Sequence, residues 1–121
     1  MKSSIRNVRT AEDFRDLLEL SHERPVLLFK HSTRCPTSAF AHHEFQSYAS
    51  EAAARGVECA QVLVVESRAV STEIASALGV RHESPQAILI RNGEAIWHDS
   101  HGALTEDAMK RAESDVAATR G

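Results

Sequence analysis

Pro25-Val-Leu-Leu-Phe-Lys-His31 carries an unbroken apolar row from Val26 to Phe29, opened by a proline. A short run without alternation suits an interior strand buried on both faces, so the chain must supply layers above and below it. The remaining sequence does so. Residues 3–9 suit a short first strand, and Thr10 can cap a helix whose inward positions are Phe14, Leu17, Leu18 and Ser21. From Pro36 to about Arg55 the spacing predicts a long helix with Phe40, Ala41, Phe45, Tyr48, Ala49 and Ala52 as its buried stripe. His42, His43, Gln46, Ser50 and Glu51 face elsewhere, and Gly56 stops the helix. Val57 to Val65 reads as a second interior strand, and Ser71 to Leu78 as a helix with Ile74 and Leu78 inward. This alternation of strand and helix implies parallel pairing.

The C-terminal third changes character. Asn92-Gly93 lies between Gln86 to Arg91 and Glu94 to Asp99, and both turn residues tolerate positive φ, so the two runs form an antiparallel hairpin. A final helix starts after Thr105, with Glu106 and Asp107 in its first turn and Met109, Ala112 and Val116 inward. Leu104 is placed to pack against Met109, and residues 117–121 read as a frayed tail. The expectation is one α/β domain over residues 1–121, built on a central mixed sheet with a C-terminal hairpin and helices on both faces.

With 14 basic and 17 acidic residues among 121, net charge −3, and no block of like charge, the chain has no electrostatic footprint for nucleic acid or a polybasic membrane patch. Its apolar runs are too short to span a bilayer, and residues 1–13 lack the apolar stretch of a secretory signal, so a cytoplasmic protein is expected. The two cysteines, Cys35 and Cys59, are too few for a disulfide framework.

Cys35 falls where a buried strand ends and a long helix begins, with Pro36 as first helical residue, where its missing N–H costs nothing. As N-cap, Cys35 has the N–H groups of Thr37 and Ser38 aimed at its sulfur, and the positive end of the helix dipole favours thiolate over thiol. Ser38 can donate its hydroxyl to the same sulfur, while Arg34, Lys30 and His31 add nearby positive or protonatable groups. The thiolate is the species that attacks disulfides. Cys35 can also be read as a small buried hydrophobe, but its neighbours Ser32-Thr33-Arg34 and Pro36-Thr37-Ser38 are loop and cap residues rather than an apolar stripe. For Cys59 the packing reading is preferred. It lies near the start of a strand parallel to the one that delivers Cys35 from its far end, roughly 20 Å away in level, which excludes an internal bridge. Ser38 stands where a dithiol motif has its second cysteine, giving Cys-Pro-Thr-Ser. An adduct on Cys35 must then be resolved by a second molecule.

Phe29-Lys-His-Ser-Thr-Arg-Cys-Pro-Thr-Ser38, together with Val80-Arg-His-Glu-Ser-Pro-Gln86 and Trp97-His-Asp-Ser-His101 with Thr105, resembles the monothiol bacilliredoxins of the thioredoxin superfamily over nearly the whole chain. The resemblance implies a thioredoxin-like fold, Cys35 as nucleophile, and Pro85 as a cis proline facing it; without the resemblance, Pro85 reads as a strand opener. A cis Pro85 would leave the backbone of Ser84 free to pair with an extended substrate strand. The implied activity is removal of bacillithiol from S-thiolated client proteins, with bacillithiol as co-substrate and no bound cofactor. Bacillithiol carries a malyl group with two carboxylates, so Arg34 or Lys30 can contact it; the alternative is that both are solvated loop charges. His31 can tune the thiolate or shuttle a proton, or it can satisfy a backbone group.

Two rivals and a metal reading stand beside this. A monothiol glutaredoxin-like carrier would bind glutathione or share an iron–sulfur cluster through Cys35. A non-catalytic thioredoxin-fold module would only bind proteins. The metal reading, through His31, Cys35, His42 and His43, fails on spacing, because adjacent His42 and His43 point about 100° apart on a helix. No chemistry is assigned to His82, His98 or His101.

Overall fold

The computed structural model describes residues 5–120, with side chains through residue 116. The elements run β1 (Ile5–Asn7), α1 (Ala11–Leu20), β2 (Val26–His31), α2 (Pro36–Ala52), β3 (Glu58–Leu63), α3 (Arg68–Leu78), β4 (Gln86–Arg91), β5 (Glu94–Ser100) and α4 (Glu106–Arg120). Single 3-10 turns, Ala53–Arg55 and His101–Ala103, follow α2 and β5. One mixed sheet has the order β1-β3-β2-β4-β5, with β1, β3 and β2 parallel and β4 and β5 antiparallel to their neighbours. The apolar run from Val26 to Phe29 lies at its centre: every residue of β2 is buried.

Alternation along β2 divides the interior into two layers. Leu27 and Phe29 point to the α2/α4 side, where they join Phe45, Tyr48, Leu104 and Met109. Val26 and Leu28 point to the α1/α3 side, with Phe14, Leu17, Val70 and Ile74. Phe29 and Phe45 stack at 4.8 Å and 8°, fixing α2 over the end of β2 from which the Cys35 loop leaves. Helices lie on both faces, as anticipated.

Boundaries differ at several points. The first strand is described only as Ile5–Asn7, and residues 3–4 of the expected span lie outside the described residues. β3 ends at Leu63 rather than Val65, because the chain turns there, the Ser67 N–H donating to the Leu63 carbonyl at 2.8 Å. α3 starts at Arg68, three residues earlier than expected. α4 continues through Arg120 in place of a frayed tail, and Gly121 lies outside the described residues. β4 runs antiparallel to β2, since the loop 79–85 delivers the chain to the carboxyl end of β2. Phe40, expected inside, is 58% exposed, whereas His42, expected outside, packs against Phe29 and His31. The other five positions of the expected stripe, Ala41, Phe45, Tyr48, Ala49 and Ala52, are buried, and Ser38 takes the place of Phe40. Leu18 is only partly buried, and Ser21 is fully buried because its side chain and carbonyl hold the hairpin turn: Gly93 N–H donates to Ser21 Oγ and Asn92 N–H to the Ser21 carbonyl. Asn92 and Gly93 take φ of 55° and 76°, the conformation for which this pair was singled out.

Candidate active site

The site begins at the carboxyl end of β2. His31 closes the strand, residues 32–35 form the loop, and α2 starts at Pro36 with Cys35 as its extended N-cap (φ −114°, ψ 122°). The Ala39 N–H donates to the Cys35 carbonyl at 3.0 Å, the first bond of the helix. Cys35 is partly exposed and free. Its sulfur makes no capping hydrogen bond, which corrects the expectation that Thr37 and Ser38 N–H groups hold it. A thiol is a weak acceptor, and the hydroxyl three residues on is already committed.

That hydroxyl belongs to Ser38, which is fully buried. Ser38 Oγ accepts the Ser32 N–H at 2.9 Å and lies 2.8 Å from His31 Nδ1, so it does not donate to the sulfur as the sequence suggested. Instead it ties the first turn of α2 to the end of β2 and to the loop, which fixes where Cys35 stands. His31 is 7% exposed and stacks on His42, ring centroids 4.0 Å apart at 7°. Burial, then the neighbouring His42, pushes the His31 imidazole down to about 4, against a smaller opposing pull from Glu66. At neutral pH His31 is therefore uncharged. It anchors the loop and supplies no positive charge beside Cys35, correcting the expectation drawn from its position.

This anchor has a pH signature. The unfolded chain binds a proton on this imidazole near pH 6.5 and the native chain only near 4, so stability is lost as pH falls through that window. The loss attributable to His31 is on the order of 3 kcal/mol at about 1.4 kcal/mol per pH unit. Urea denaturation of the wild type and a His31→Asn variant at about pH 7 and about pH 4 should show the gap between them narrowing by that amount. A gap that does not change with pH would contradict the assignment.

His42 was missed as part of the site. The signal was available in its spacing, four residues beyond Ser38 and seven beyond Cys35, which puts all three on one helix face. Its Nε2 lies 2.9 Å from Gln61 Oε1, and Gln61 Nε2 donates to Asn7 Oδ1 at 3.0 Å, extending the polar chain across β3 to β1.

Lys30 is not a loop charge. It is 0% exposed within β2 and projects to the α1/α3 side, where Nζ donates to His82 Nδ1 at 3.1 Å. Burial pushes its ammonium down to about 8. Arg34 is exposed next to Cys35 in the loop. The structure thus separates two cations that the sequence grouped.

Ser84-Pro85 is a cis peptide bond, and Pro85 is buried. Gln86 pairs with Lys30, so Pro85 stands at the level of His31, at the same sheet end as Cys35. The Pro85 carbonyl accepts the His101 N–H at 3.0 Å, and His101 Nε2 lies 2.8 Å from Glu83 Oε1, which pins the preceding loop to the end of β5. Ser84 Oγ is buried without a hydrogen-bond partner. Cys59 lies on the α2/α4 side of β3, paired in register with Leu27 away from the Cys35 end of the sheet, and burial pushes its thiol up to about 12. It is a packing residue.

Residues 6–109 match the family model described as monothiol bacilliredoxin BrxC. The chain belongs to the monothiol bacilliredoxin family. The bacilliredoxin fold seen here is thioredoxin-like: a solved structure described as a candidate oxidoreductase with a thioredoxin fold superposes with a TM-score of 0.79 at 31% identity, over 90% of this chain and 93% of that one. A thioredoxin of Malassezia sympodialis gives 0.76 at 15% identity, covering 94% and 91% of the two chains. A thioredoxin of Trypanosoma brucei brucei gives 0.75 at 18%, covering 97% and 94%. Family and fold together make this bacilliredoxin a thiol redox protein of the thiol-disulfide oxidoreductase class. Among the described residues no helix is long and apolar enough to cross a membrane, and no group of three His, Cys, Asp or Glu side chains could hold a metal ion.

Proposed function

We propose that this bacilliredoxin removes bacillithiol from S-thiolated client proteins in the cytoplasm, with Cys35 as nucleophile and no resident cofactor. The observation that carries the reading is the pairing of Cys35 at the amino end of α2 with a buried Ser38, already bonded to His31 and Ser32, at the position a resolving thiol would need. The Cys35 thiolate attacks the bacillithiol sulfur of the mixed disulfide. A bond forms between those two sulfurs, the bond to the client sulfur breaks, and the client leaves as a thiolate that takes up a proton from water. A second low-molecular-weight thiol then attacks the bacillithiol sulfur, is oxidised to the disulfide with it, and returns Cys35 as thiolate.

The amino end of α2, positive by its macrodipole, lies at Cys35, and Pro36 at the first helical position removes one of the unpaired N–H donors there. The Ser84 backbone beside cis Pro85 serves as the strand-pairing edge for the client chain. Arg34, exposed beside Cys35, offers a charge-assisted contact to one of the two malyl carboxylates; Lys30, fully buried, makes no direct contact. The test is one client protein prepared with bacillithiol or with glutathione on the same cysteine. Bacillithiol removal is expected to be faster by about 10-fold or more, within the range that a few polar contacts can discriminate. Equal rates, or a preference for glutathione, would overturn the assignment of the co-substrate.

A further inference from the structure

On the α1/α3 side of the same sheet end lies a cavity of about 280 Å³ lined by Val64, Val65, Arg68, Ser71, Thr72 and His82. Its position follows from the strands. Val64 continues β3 past Leu63, the partner of His31, and its N–H donates to the His31 carbonyl, while His82 precedes Ser84-Pro85 by two residues. The cavity therefore sits beyond the carboxyl ends of parallel strands, the usual place for a ligand in an open α/β sheet.

Beyond the two valines its wall is polar and cationic, with no carboxylate in it. Arg68 makes no ion pair among the described residues. Glu83, next to His82 in the chain, is turned away to His101 at 2.8 Å, and Glu66 acts on His31. Behind His82 stands Lys30, whose ammonium has only donors, so His82 Nδ1 must accept from it and the ring proton resides on Nε2. Ser71 Oγ lies 3.4 Å from the same Nδ1 and stabilises that tautomer. The wall thus offers the Arg68 guanidinium, the His82 Nε2–H and the Ser71 and Thr72 hydroxyls, with a buried ammonium behind them.

We propose that this cavity receives a carboxylate of the small acidic thiol exchanged at Cys35, with Arg68 and His82 as its recognition residues. The choice of an acidic thiol rests on the co-substrate reading above. Lys30 acts as a positioning residue, through the His82 tautomer, in place of the direct contact its sequence position suggested.

Two measurements test this. Malate dianion, titrated into the wild-type protein, is expected to shift the His82 imidazole resonances, and Arg68→Gln is expected to abolish the shift. In turnover, Arg68→Gln should raise KM about 10-fold for a bacillithiol mixed disulfide and leave the neutral 2-hydroxyethyl disulfide unchanged, as for loss of one charge-assisted contact. Arg15→Gln, on the exposed side of α1, should change neither. No His82 shift in the wild type, or equal KM changes for both disulfides, would overturn the cavity assignment. A retained shift in a protein inactive on bacillithiol mixed disulfides would overturn the co-substrate reading and leave the carboxylate site standing.

Discussion

Cys35→Ser is expected to lower client dethiolation by roughly a thousandfold or more, because an alcohol at this helix end stays protonated and has no adjacent base to activate it. The side chain is partly exposed at a loop end and makes no capping hydrogen bond, so thermal stability should change by no more than about 0.5 kcal/mol. Cys59→Ser should do the reverse. Placing a hydroxyl in the apolar layer around Leu27 and Tyr48 costs about 1–3 kcal/mol, while exchange persists. Rates on a thiolated client and melting curves for the two variants decide the matter. An active Cys35→Ser protein would remove the nucleophile from the account.

Ser38→Cys should convert the protein from one that needs a second molecule into one that resolves its own adduct. The new thiol sits three residues along the helix from Cys35, so displacement becomes intramolecular, and the adduct lifetime without external thiol should fall by at least about a hundredfold. The product is a disulfide between Cys35 and the introduced thiol at position 38, visible as a loss of two hydrogen masses from the reduced protein, as two-thiol oxidation requires. The same change weakens the bonds that the hydroxyl makes to the Ser32 N–H and His31, costing about 1–3 kcal/mol of stability. An adduct as long-lived as in the wild type would mean that residue 38 cannot reach the Cys35 sulfur.

The layered sheet was legible because its signals are local. Val26 to Phe29 announces a strand buried on both sides, Asn92-Gly93 a hairpin, and Cys35-Pro36 a helix start. What the sequence misplaced depends on the helix phase or on strand sides that no local pattern sets. Phe40 was misplaced because Ser38, a polar residue, continues the buried stripe of Ala41, Phe45, Tyr48, Ala49 and Ala52 toward the start of α2, while His42 is half-buried against Phe29. Lys30 and His31 are consecutive in one strand, so they must point to opposite layers. Grouping both with Cys35 overlooked that alternation. Arg68, Ser71 and His82 left no trace in sequence, since the β3–α3 turn and the loop before Pro85 bring them together only in the folded chain. Ser38 was legible as the missing second thiol but not as the bond holding the loop to β2.

The most direct test of Cys35 as a nucleophile without an internal resolving partner is mass spectrometry of the protein incubated with a bacillithiolated client and no other thiol. One bacillithiol per chain, on the peptide containing Cys35 and stable until a low-molecular-weight thiol is added, is the predicted result. An unmodified Cys35 beside a dethiolated client, or an adduct on Cys59, would contradict it.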